Sequence, residues 1–110
     1  MNQPNRPLMN IEALKQHIVS IFKPFDPKRI VIFGSLARGA WDEMSDIDVI
    51  VVYRTNKSFL DRLKELYLSW YIPKAVDILA YTPEEFDHMS QQNFFIQEAL
   101  NTGEVLYERN

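Results

Sequence analysis

The chain has 110 residues, 46% apolar and 25% charged, with no cysteine and a formal charge of −3. That size and mix suit one globular domain, and the acidic balance argues against broad nucleic-acid binding, which needs a basic face to neutralise phosphates. Lack of cysteine excludes a disulfide framework and a thiolate zinc site and fits the cytoplasm, and no apolar run approaches the length of a membrane span.

Residues 1–9 read as a flexible lead-in, because Met1 to Pro7 lacks an apolar secretory core. Residues 10–110 read as a single domain. From Asn10, a suitable N-cap, Ile11, Leu14, Ile18, Ile21 and Phe22 recur at helical spacing. Pro24 and Pro27 end that helix. The apolar runs Arg29–Phe33 and Val49–Tyr53 read as buried strands on either side of a turn, a short helix and a loop. Ser58 caps a second long helix, with Phe59, Leu60, Leu63, Leu66, Tyr67 and Trp70 as its apolar side. Pro73 breaks it, and Ala75–Ala80 is a third strand with an aspartate, Asp77, in its middle. A charge inside so apolar a run is costly unless satisfied. Thr82, Pro83 and Glu85 announce a helix start. Another helix spans Asn93–Leu100, Gly103 is placed as its C′ residue, and Glu104–Tyr107 returns as an edge strand.

The stretch from Gly34 to Asp48 organises the rest. Gly34 lets the backbone approach a ligand closely. The amides of Ser35 and its neighbours open a helix, and a helix N-terminus attracts phosphate. Asp46 and Asp48 start the next strand two residues apart, so both carboxylates share one face while Ile47, Val49 and Val51 share the other. Two hard oxygen ligands roughly 6.5–7 Å apart along a strand suit Mg²⁺, which keeps waters and substrate phosphates as its remaining ligands. Arg38, one turn beyond Ser35, is placed to pair with a phosphate oxygen. Trp41 is read either as a base-stacking ring or as loop packing. Ser45 is expected to cap the loop and orient Asp46, and His17 and His88 read as surface residues.

Gly34-Ser35, ten residues, then Asp46-x-Asp48 resembles the signature of the DNA polymerase beta-like nucleotidyltransferase superfamily. The fuller form, Gly34-Ser35-x-Ala37-Arg38-Gly39 followed by Ser45-Asp46-Ile47-Asp48, resembles most the minimal nucleotidyltransferase (MNT) family. Members of that family are often the antitoxin in pairs with an all-helical HEPN-domain toxin. The resemblance covers about residues 10–107 and implies an α/β fold: a small mixed, twisted sheet of palm type, helices on one face and the aspartates on the exposed face. It implies that Asp46, Asp48 and Asp77 are catalytic and bind two Mg²⁺ ions, with Asp77 on the catalytic ion alone and assisting deprotonation. Gly34, Ser35 and Arg38 would bind the nucleotide, most naturally ATP. Many relatives carry a basic or aromatic residue where this chain has Leu36, a departure that removes one triphosphate contact.

The function implied is Mg²⁺-dependent transfer of a nucleoside monophosphate, AMP foremost, to a hydroxyl of a partner protein, a HEPN toxin. One alternative is a vestigial nucleotide site in an antitoxin that works by occlusion. Another is transfer to a small molecule such as an aminoglycoside, disfavoured because no acceptor-holding domain follows Tyr107. With so little chain beyond the motif face, the acceptor would be held by a shallow surface, a second copy in a homo-oligomer, or a partner. Three converging carboxylates should also repel, raising the pKa of at least one.

Overall fold

The computed structural model describes residues 10–42 and 44–109; the expected lead-in, residues 1–9, lies outside them. The first helix, α1 (Ile11–Phe22), starts where expected, with Asn10 Oδ1 accepting from the Ala13 amide at 2.7 Å. A turn of 3₁₀ helix at Lys23–Phe25 leads to β1 (Arg29–Phe33). There follow α2 (Gly34–Arg38), β2 (Ile47–Val52), α3 (Phe59–Leu68), β3 (Val76–Tyr81), α4 (Pro83–Gln92), α5 (Phe94–Thr102) and β4 (Glu104–Glu108). The sheet order is β3-β2-β1-β4. Strand β1 is antiparallel to β2 and β4, while β2 and β3 are parallel, which makes the sheet mixed.

Alternation along the strands sorts the core into two layers. Ile30, Ile32, Ile47, Val49, Val51, Ile78 and Ala80 pack with Leu14, Ile18 and Phe22 of α1 and Leu66 of α3. On the opposite face, Val31, Ile50 and Val52 pack with Phe86 of α4 and with Ile96 and Ala99 of α5. The α/β class and the mixed sheet are those expected, but the layering is fuller. Helices cover both faces, and the face that carries the aspartates is open only where α4 and α5 do not reach. The physical reason is that Ile50, Val52 and Leu79 are apolar on that face too, and they need cover.

Helix α3 differs from its expected orientation. Leu60 and Leu68 are 70% and 86% exposed, whereas Arg62 is 8% exposed. The Arg62 guanidinium donates to both Glu85 carboxylate oxygens, at 2.7 and 3.2 Å, and to the Lys57 carbonyl at 2.9 Å. A bidentate charged pair satisfies a buried arginine, and it ties α3 to the start of α4. The Thr82–Glu85 capping box forms as the sequence implies. Helix α3 also blunts the free edge of β3, where the Ile78 amide donates to the Tyr67 hydroxyl at 2.9 Å.

Gly103 is not the left-handed cap expected of it. Its backbone is extended, with φ −87° and ψ −178°. A Cβ there would collide with the Ala99 carbonyl and lie 2.6 Å from that of Ile32, so glycine serves close approach of α5 to β1.

Candidate active site

The site grows from one backbone kink. At the end of β1, Gly34 turns with φ +73°, a region that favours glycine, and α2 begins at once. A Cβ on Gly34 would run into the Asp48 carboxylate, Oδ2 first. The absent side chain therefore makes room for an aspartate. Gly39, with φ +77°, closes α2 by donating its amide to the Leu36 and Ser35 carbonyls.

Register brings the carboxylates together. Asp48 is the β2 partner of Phe33 in β1 and of Asp77 in β3. Facing neighbours in adjacent strands put their side chains on the same face, so Asp48 and Asp77 stand side by side. The Asp48 pKa rises from 3.8 to about 6: partial burial is the largest cause, followed by the Asp77 charge, a hydrogen bond from protonated Asp48 to Asp77, and the Asp46 charge. Arg38 pulls the other way by its charge. The upward pKa shift expected for converging carboxylates falls on Asp48.

Asp46 lies just before β2 and is exposed; it reaches Asp48 through charge. Among the described residues no three acidic or imidazole groups are already gathered at metal-ligand spacing. Even so, the donor set fits a hard divalent cation. All its groups are carboxylate oxygens, which Mg²⁺ prefers, and their mutual repulsion is what a cation would relieve. Gly34 also keeps the space beside Asp48 free of a side chain.

Asp77 is exposed on an edge strand rather than buried, so water satisfies the charge that made it conspicuous in an apolar run. The Ser35 hydroxyl has no hydrogen-bond partner among the described residues, and Arg38 is exposed beside it. Leu36 points away, into the core formed with α1 and α3. At this place in the fold the chain uses an apolar anchor, which accounts for the departure from the basic or aromatic pattern.

One loop residue differs from expectation. Ser45 is bonded to Asp42, not Asp46: its amide donates to the Asp42 carbonyl at 3.1 Å and its hydroxyl to Oδ1 at 3.2 Å. Asp42 also accepts from the Met44 amide at 2.8 Å. Asp42 thus holds the turn that delivers Asp46, a role its Asx-turn chemistry signals and sequence reasoning overlooked. Trp41 packs on the core, and the Lys74 ammonium lies 4.8 Å from its ring centre, which decides for loop packing.

Fold and site together define a small α/β domain whose neighbouring strands β2 and β3 present paired carboxylates beside a left-handed glycine turn. The chain belongs to the nucleotidyltransferase domain family, whose model matches residues 11–103, and it is a nucleotidyltransferase. A protein of Methanocaldococcus jannaschii, named "Putative protein adenylyltransferase", is 42% identical over 74 residues, covering 66% of this chain and 80% of the relative. Among solved structures, a toxin–antitoxin with AMP-PNP matches with TM-score 0.65 and 23% identity, over 87% of this chain and 74% of that one. A tri-AMPylated Shewanella oneidensis HEPN toxin in complex with its MNT antitoxin matches with TM-score 0.59 and 18% identity, over 91% and 74%. At these identities the structural likeness speaks for the fold. Among the described residues no helix is long and apolar enough to cross a membrane.

Proposed function

We infer that this domain transfers AMP from ATP to a hydroxyl side chain of a partner protein, with a HEPN toxin as the partner and itself as the antitoxin. The observation that carries this reading is the side-by-side placement of Asp48 and Asp77 next to the Gly34 turn. The similar proteins, one named a putative protein adenylyltransferase and one an antitoxin in complex with an AMPylated HEPN toxin, support the nucleotide and the partner.

In this reading the Gly34 and Ser35 amides and the free Ser35 hydroxyl hold the terminal phosphates, and Arg38 pairs with a phosphate oxygen. Asp46, Asp48 and Asp77 would hold Mg²⁺, two ions in the full arrangement, which supply charge stabilisation to the attacking and departing oxygens. Asp77 takes the proton of the acceptor hydroxyl, a bond forms from that oxygen to the α-phosphorus, and the bond from phosphorus to pyrophosphate breaks. An exposed Asp77 suits this task, because the acceptor arrives from solvent.

The test is to incubate the protein with the product of its neighbouring gene, Mg²⁺ and ATP labelled at the α-phosphate. Label on the partner, lost with Asp48→Asn or Asp77→Asn, supports transfer. Inhibition of the partner without any label would replace transfer by occlusion.

A further inference from the structure

A cavity of about 320 Å³ opens beside Asp48, and its two walls differ in chemistry. One wall is Gly34, Arg38 and Asp48. The other is α5 together with the end of β1: Phe95 and Phe33, with Glu98 one helical turn beyond Phe95. Phe95 is 54% exposed, although it stands next to an apolar layer it could have joined. Its ring is held edge-on against Phe33, with centroids 5.7 Å apart and planes at 89°. That contact fixes the ring yet leaves much of its surface uncovered. An aromatic surface held at the mouth of a cavity is a stacking platform for a planar ring.

We propose that α5 is the nucleoside wall of the site, with Phe95 stacking on the base of the bound nucleotide. The proposal rests on the nucleotidyl-transfer reading for the identity of the ligand, and on the cavity for its placement. Charge fixes the polarity. Phosphates are drawn to Arg38 and to the divalent cation that Asp48 would hold in the transfer reading, whereas the Glu98 carboxylate repels them, so the uncharged nucleoside end is the one that lies along α5. Glu98 then offers an acceptor to the nucleoside's own donors, its ribose hydroxyls first. Stacking is sequence-tolerant because every base has a π-face, so Phe95 contributes affinity for nucleosides in general.

Equilibrium binding in the presence of Mg²⁺ tests this, with a non-hydrolysable ATP analogue as one probe and inorganic tripolyphosphate as the other. Phe95→Ala should weaken binding of the analogue by roughly tenfold or more and leave tripolyphosphate within about twofold. Phe95→Trp should restore the analogue, which loss of a merely structural contact would not predict. Equal affinity of wild type and Phe95→Ala for the analogue would overturn the proposal, and so would a parallel loss for both probes. The transfer reading fails separately: a wild type that binds the analogue through Phe95 yet labels no protein removes transfer and keeps the nucleoside wall. A wild type that binds neither probe removes both.

Discussion

Replacing Asp48 by asparagine should stabilise the metal-free protein, and only above the pH at which the carboxyl ionises. In the native state this group is partly buried and faces two other carboxylates, so its pKa stands at about 6 instead of 3.8. That displacement corresponds to at most about 3 kcal/mol of disfavoured ionisation. Because Asp48 is partly exposed, solvent screening reduces the realistic figure to about 1–2 kcal/mol. Between pH 3.8 and 6 the native state binds this proton more tightly than the unfolded chain does. Stability from this group therefore falls as pH rises through that window, and stays low above it.

Asparagine carries no such penalty. In chelator at pH 7.5 the Asp48→Asn variant should melt higher than wild type by roughly 4–8 °C for a domain of this size. Near pH 4 the two should converge, since wild-type Asp48 is then protonated. The assay is a pair of thermal melts at the two pH values, backed by urea titrations. A variant less stable than wild type at pH 7.5, or one with the same gain at both pH values, would refute the reasoning.

Gly34→Ala should cost at least about 1–2 kcal/mol from the left-handed backbone alone, with more from the clash with Asp48, and should abolish transfer; urea unfolding and labelling check both. Arg62→Ala should cost about 1–3 kcal/mol, because it removes a buried guanidinium that donates to both Glu85 oxygens and to the Lys57 carbonyl, while the half-exposed Glu85 is left to water and the Thr82 amide. Arg62 holds the Glu85 pKa below its usual value, so this pair's stabilisation is present at neutral pH and lost as pH falls through the carboxylate range. Wild type should therefore lose more stability than Arg62→Ala on going from pH 7 to pH 3. Asn93→Ala should cost about 1 kcal/mol, since Asn93 Oδ1 accepts from the Ile96 amide at 3.0 Å to start α5; a melting curve reads it directly.

What the sequence made legible was local and strongly patterned. The caps Asn10, Ser58 and Thr82, the strands that flank Gly34, and the spacing that aims Asp48 away from Ile47 and Val49 all follow from short-range chemistry. What it did not disclose depends on packing at a distance. Arg62 reads as a solvated helix residue until Glu85 arrives from another helix. Asp77 reads as buried because its neighbours are apolar, yet an edge strand leaves its side chain in water. Helices on both faces follow from Ile50, Val52 and Leu79, whose apolar side becomes visible only once the register is known. Gly103 has a local signature of a left-handed cap, but its reason is contact with β1, far away in sequence.

The central claim is that Asp48 serves covalent transfer onto a partner. Co-expression of the proposed partner, a HEPN-domain toxin, with wild type or with Asp48→Asn, followed by separation and intact-mass measurement of the partner, tests it most directly. With wild type, the partner should be heavier by one AMP or a small multiple and should stay inactive after separation. With Asp48→Asn, which is expected to fold at least as well, it should keep its unmodified mass and regain activity. An unmodified partner that recovers activity after separation from the wild-type protein would contradict the account.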